Sequence, residues 1–273
     1  MEINPFAVVS AAVVDLLTRD GDLFARMGST MFRGFATILI VWFGVRAALA
    51  GAEGQSLPLG RFASLLMTIA FGFTMITYYA APIPGIGRSF THLITDQASA
   101  LAGQIEASQV QTLSDRLNDA FTSLEQPLFL SVTQVFWYFI IALLLAGARV
   151  ALLAIIAFGW VATGVAVLVG PIFVPFFIVP HMEWLFWGWL KSLLQYAFYQ
   201  VIAQAFVFVF GSFLLRFLDV FPPPYTVDKI LVGGFQIVFL LLAFIYGMFK
   251  VPSLANSLFT GRGGEVALPA RFR

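Results

Sequence analysis

The chain has 273 residues, of which 60% are hydrophobic and 11% charged, with 15 basic against 14 acidic side chains and a formal net charge of +1. A soluble domain is nearer ~25% charged, so this chain lacks the polar surface to face water all round, and it has no basic block that would suit nucleic acid. A mean hydropathy of +0.92 and 31 phenylalanines fit lipid-facing helices, and without repeated short alternating strands a membrane barrel is excluded.

The expected fold class is therefore an all-α polytopic transmembrane protein, with five spans, a re-entrant segment and a water-soluble helical hairpin. MEINPF at the start has neither a basic region nor a small-residue cleavage site, so no cleaved signal peptide is expected. Asn4-Pro5 is a helix start, with Asn as cap and Pro at the first helical position. Within residues 1–30 the apolar run Phe6–Val14 is too short to span and reads as an amphipathic or interfacial helix, followed by a turn at Asp20-Gly21-Asp22.

A span needs about 20 mostly apolar residues. Residues 31–81 hold the first two, Gly34–Ala52 and one within the charge-free run Phe62–Gly87, joined by a polar link from Glu53 to Arg61. Arg46 fits within the first by snorkelling to the interface.

Residues 82–127 open with the turn PIPGIG and continue as two amphipathic stripes. Phe90, Leu93, Ile94, Ala98, Leu101 and Ile105 form one; Val110, Leu113, Leu117, Phe121 and Leu124 form the other. Both follow the i, i+3, i+4, i+7 template, and Ser108 with Gln111 makes a capping box. The stripes either pack on each other or the membrane surface, or present Phe90, Leu93, Leu101, Leu113, Leu117 and Phe121 to a partner protein.

Residues 128–249 are the C-terminal membrane region, with spans Gln126–Ala148, Ser192–Leu215 and Ile230–Phe249. Between the first two, Val150–Pro180 carries Ala162, Ala166 and Gly170 at a four-residue spacing that lets helix backbones approach closely. It then reaches GPIFVPFFIVP, where Gly170, Pro171, Pro175 and Pro180 read as a helix break and return leg. Proline costs about 3 kcal/mol in a helix interior, and irregular backbone at membrane depth survives only where protein buries it or a water-filled cavity meets it. The segment is either re-entrant, entering and leaving on one side, or a kinked full span.

His181–Lys191 follows, with Trp184, Trp187 and Lys191 on one face as interfacial anchors. Gln195, Gln200, Gln204 and Gln236 are intramembrane amides, which either join helices or line a polar path. Residues 221–225, FPPPY, are a rigid link, and 250–273 form a C-terminal tail.

No catalytic constellation emerges. His92 and His181 are far apart and there is no cysteine, so neither a zinc site nor a disulfide is expected. The C-terminal GRGG lacks the Lys-Ser/Thr of a phosphate loop. The spans hold no acidic residue for a proton relay. The chain reads as a non-enzyme without a cofactor.

Two stretches carry a resemblance. One runs from Gly170-Pro171 through Phe186, Trp189, Leu190 and Leu194. The other is VPSLANSLFTGRGG, with Pro252, Leu254, Ala255, Leu258, Gly261, Gly263 and Gly264. With the layout of spans and central loop, they resemble the TrbL family, the polytopic inner-membrane component of type IV secretion and conjugation machines, with its VirB-type members. The resemblance implies a bacterial inner-membrane protein that forms a homo-oligomer under the stalk of the machine and supports substrate passage and pilus assembly. The implied partners are membrane lipids, stalk, pilin, ATPase and core-complex proteins, and transiently the translocated DNA or protein. It also implies an outside N-terminus and an inside C-terminus, with residues 1–30 and the helical hairpin of 82–127 extracytoplasmic, although the positive-inside rule alone slightly favours six spans with both ends inside. A stand-alone six-helix transporter or channel for a small solute is the competing reading, resting on Gln195, Gln200 and Gln204.

Overall fold

The computed structural model describes residues 5–53, 59–104, 107–126, 132–220, 226–227 and 236–260. These form helices α1 Pro5–Ala52, α2 Leu59–Thr77, α3 Phe90–Gln104, α4 Ala107–Thr122, α5 Val132–Phe173, α6 Glu183–Val220 and α7 Gln236–Thr260. A 3-10 turn, Val174–Ile178, lies between α5 and α6. There is no strand among the described residues, and five helices are long and apolar enough to cross a membrane. The FPPPY link, Ile105 and the tail glycines Gly261, Gly263 and Gly264 lie outside the described residues.

α1 starts at Pro5, where a missing N–H costs nothing because the first helical donors have no intrahelical partner. The turn expected at Asp20-Gly21-Asp22 is absent, and the helix continues across it. A glycine inside a helix costs only about 1 kcal/mol, and one turn earlier Arg19 and Asp15 pair along the helix at 3.6 Å.

α5 departs furthest from the sequence reading. The span ending at Ala148 and the segment beginning at Val150 are one helix of 42 residues, about 63 Å long. Arg149 interrupts the apolar run without ending the helix, because its Nη1 donates to Oδ1 of Asn118 on α4. The break expected at Gly170-Pro171 also falls later. The helix passes through Pro171 to Phe173, tightens into the 3-10 turn, and reverses across 179–182 before α6 begins. His181 in that reversal is left-handed, with φ 69°, a conformation few non-glycine residues adopt.

The chain divides into two compact units. Unit one comprises 1–9, 98–160 and 197–273; unit two comprises 10–97 and 161–196. Unit one has an aliphatic core in which Leu113 and Leu117 of α4, Leu145 and Leu152 of α5, Leu214 of α6, and Leu241 and Met248 of α7 are buried. In unit two, α1 and α2 run antiparallel, with Phe43 against Phe62 near one end (centroids 5.2 Å apart) and Phe32 against Phe73 further along (6.3 Å). Phe32, Met75, Val174, Ile178, Phe186 and Leu193 form its core.

The PIPGIG turn is present as expected, with Gly85 and Gly87 at φ 86° and 73°, where only glycine is at ease. Ser89 then caps α3, its Oγ accepting the His92 N–H at 3.3 Å. α4 begins at Ala107, so Ser108 lies inside its first turn rather than ahead of it.

Candidate functional site: the proline-rich turn of unit two

The turn is built on the far end of α5. Pro171 has no N–H to offer the carbonyl of Val167, four residues earlier, and an unpaired buried carbonyl costs about 1–3 kcal/mol. Tyr79, just past the end of α2, takes its place: its hydroxyl donates to Val167 O at 2.6 Å. One residue earlier, the Ala166 carbonyl accepts the indole N–H of Trp189 on α6 at 2.8 Å. Tyr79 and Trp189 also stack obliquely, their centroids 6.1 Å apart. Two aromatic side chains thus hold the carbonyls beside the proline.

Two glycines let backbones close around this point. A Cβ on Gly170 would overlap the Tyr79 hydroxyl and the Trp189 ring, and one on Gly28 would overlap the Pro171 carbonyl. Of the three small residues at four-residue spacing, Gly170 is closely approached by Tyr79 and Trp189, Ala166 is buried, and Ala162 is half-buried.

Beyond Phe173 the 3-10 turn packs on α1 and α2. Phe176 meets Phe35 (5.6 Å), Phe177 meets Phe71 (5.6 Å), and Ile178 closes on Gly72, where a Cβ would stand 3.0 Å from its methyl. Pro175 is buried at the start of the turn, where its missing donor is harmless, and Pro180 is exposed at the end. Phe177 also packs edge-on against Phe186, at 5.1 Å, which ties α6 to the turn.

Other expected residues scatter. Trp184, Trp187 and Lys191 are exposed on the first turns of α6. Gln200 is buried, Gln195 and Gln204 half-buried, and Gln236 is the exposed first residue of α7. In unit one, Arg149 Nε, Tyr199 Oη and Gln204 Oε1 are buried without a hydrogen-bond partner among the described residues.

The six residues assigned to a partner-facing loop are not one surface. Leu113 and Leu117 are fully buried in the core of unit one, with Leu113 against Gly211 of α6, so neither is open to a partner. The apolar face of α4 finds its cover within the chain, and Arg116 pairs with Asp219 of α6 at 3.4 Å beside it. Phe90 packs on the core of unit two and Leu93 is half-buried; Leu101 and Phe121 stay 43% and 44% exposed.

Tyr79, Gly28, Gly72 and Asn118 were not singled out by the sequence. Tyr79 lay within the charge-free run Phe62–Gly87 and gave no hint of its own. Among the described residues no three His, Cys, Asp or Glu side chains cluster as metal ligands.

A family model described as TrbL/VirB6 plasmid conjugal transfer protein matches residues 36–251, well over half the chain and all of the turn. The chain belongs to the TrbL/VirB6 family. With its five spanning-capable helices, this TrbL/VirB6 protein is a multi-pass inner-membrane component of a conjugal transfer, type IV secretion system. The family is a structural component of conjugal transfer, not a known family of enzymes. The matched range stops at residue 251, so the VPSLANSLFTGRGG motif lies almost wholly beyond it. No curated protein matches the chain.

Proposed function

We propose that this TrbL/VirB6 protein is a channel and scaffold subunit that oligomerises beneath the stalk of its secretion machine and shapes the membrane cavity through which substrate or pilin passes. The observation that carries the proposal is the proline-rich turn. Tyr79 and Trp189 bond the helix carbonyls that lead into it, and the 3-10 turn itself is packed on Phe35, Phe71 and Gly72 rather than left to lipid, as irregular backbone at membrane depth requires.

The residue levels trace the course of the segment along α2. Val167 and Gly170 lie beside Tyr79, past the last residue of α2, and Ile178 lies at Gly72. Pro180 shares a cavity with Arg61 near the start of α2, and Trp189 is back beside Tyr79. The chain thus passes the Tyr79 end of α2 twice and reaches the other end between the two passes, and Trp184, Trp187 and Lys191 serve as its lipid-facing anchors. Exposed Leu101 and Phe121 are the remaining apolar contacts for stalk or core proteins.

Replacing Pro171 and Pro175 together with Ala restores two backbone donors and is expected to let α5 extend past Phe173 at the expense of the 3-10 turn. Transfer efficiency is expected to fall at least tenfold while the protein still accumulates in the membrane, and unchanged transfer would sink the proposal. Gentle extraction of C-terminally tagged protein from its native membrane is expected to bring down secretion ATPases and pilin-like subunits.

A solute channel is the second reading, favoured by buried Gln200 and by the unpartnered Tyr199 and Gln204 oxygens. It requires a small, self-contained oligomer with flux in a liposome assay, which the first reading does not produce.

A further inference from the structure

At the other end of unit two, where α1 finishes and α2 begins, lies a cavity of about 520 Å³ lined by Trp42, Arg46, Glu53, Arg61, Leu65 and Pro180, with Leu39 and Phe43 among its apolar walls. That is within the ~300–1,000 Å³ typical of small-molecule sites. Arg61 is the third residue of α2, and Arg46 lies six residues before the end of α1. Both therefore stand near the ends of helices able to span a membrane. The Arg46 guanidinium rests 5.3 Å from the Trp42 ring centroid, an amphipathic pair suited to headgroup depth. Among the described residues neither Arg46 nor Arg61 forms an ion pair.

We propose that this cavity binds an acidic phospholipid, with the two guanidiniums on the phosphodiester oxygens and an acyl chain along Leu39, Phe43 and Leu65. Two arginines against Glu53 leave one positive charge, which a monoanionic headgroup such as phosphatidylglycerol neutralises. Phosphatidylethanolamine would carry its own ammonium back into the site. Guanidinium forks match phosphate oxygens two at a time. The apolar wall distinguishes the site from one for free phosphate, because a small hydrated anion gains nothing from Leu39, Phe43 and Leu65.

The test uses the full chain in phosphatidylcholine vesicles containing increasing fractions of brominated phosphatidylglycerol or brominated phosphatidylethanolamine. Quenching at the site is read as the fluorescence difference between wild type and Trp42→Phe. Half-maximal quenching is expected at a mole fraction at least fivefold lower for phosphatidylglycerol, and Arg46→Gln and Arg61→Gln should each raise that fraction roughly fivefold. Arg33→Gln, on the same helix but outside the cavity, should leave it unchanged. Excess inorganic phosphate should not relieve the quenching; if it does, the site is one for soluble anions and the proposal fails. Equal quenching by the two lipids, or indifference to both substitutions, overturns it as well. If Arg46→Gln does not fold, Arg61→Gln at the exposed start of α2 carries the test alone.

Discussion

Each unit carries a proline inside a helix, in a different setting. In unit one, α7 carries Pro252 through an aliphatic core, and the unpartnered buried side-chain atoms among the described residues include those of Arg149, Tyr199 and Gln204. In unit two, α5 carries Pro171 through an aromatic-rich core, and two side chains from other segments, Tyr79 and Trp189, bond the Val167 and Ala166 carbonyls in the turn before it. The proline of unit two thus stands where neighbouring segments bring donors to the carbonyls beside it.

Adding one methyl group separates the two units most sharply. Gly170→Ala or Gly28→Ala forces a Cβ into Tyr79 or into the Pro171 carbonyl. Each is expected to destabilise unit two by about 3 kcal/mol or more, the upper range of overpacking, seen as a lower midpoint of thermal unfolding in detergent. In unit one, Leu117→Ala should cost about 2–5 kcal/mol as a buried cavity. Phe121→Ala on the same helix, at an exposed position, should change stability by less than ~0.5 kcal/mol while weakening co-purification with partner proteins. If Phe121→Ala proves as costly as Leu117→Ala, the assignment of inner and outer faces of α4 is wrong. Gln204→Leu removes an unpartnered buried oxygen, so it should leave unit one unchanged or about 1 kcal/mol more stable. A loss above ~2 kcal/mol would mean that the amide has a bonding role. The smallest effect is expected at Gly147, where a Cβ would meet only Ile245 Cδ1 at an ordinary 3.6 Å. There Gly147→Ala should stabilise by ~0.5–1 kcal/mol through helix propensity, the opposite sign to Gly170→Ala.

What the sequence disclosed was mostly local. Apolar runs marked five spanning helices, amphipathic stripes marked α3 and α4, Gly85 and Gly87 marked their turn, and Pro5 marked the start of α1. Contacts between distant segments were hidden. Arg149 looked like the end of a span because Asn118, which bonds it, lies 31 residues away. Pro171 looked like a break because a proline's cost depends on whether something else bonds the freed carbonyl, and Tyr79 lies 88 residues from Val167. Leu113 and Leu117 looked available because a stripe gives no sign of what covers it. The triplet Asp20-Gly21-Asp22 misled in the reverse direction, since turn-forming residues permit a turn without compelling one.

The central claim is that the Tyr79 hydroxyl stands in for the donor that Pro171 lacks, and a double-mutant cycle tests it most directly. Unfolding free energies would be measured for Tyr79→Phe in the wild-type and in the Pro171→Ala background. In wild type the substitution leaves the Val167 carbonyl unpaired and should cost about 1–3 kcal/mol. In the Pro171→Ala background the new backbone N–H reaches that carbonyl by itself, and the cost should shrink by at least ~1 kcal/mol. An equal cost in both backgrounds would contradict the account, since Tyr79 would then be stabilising unit two by packing alone.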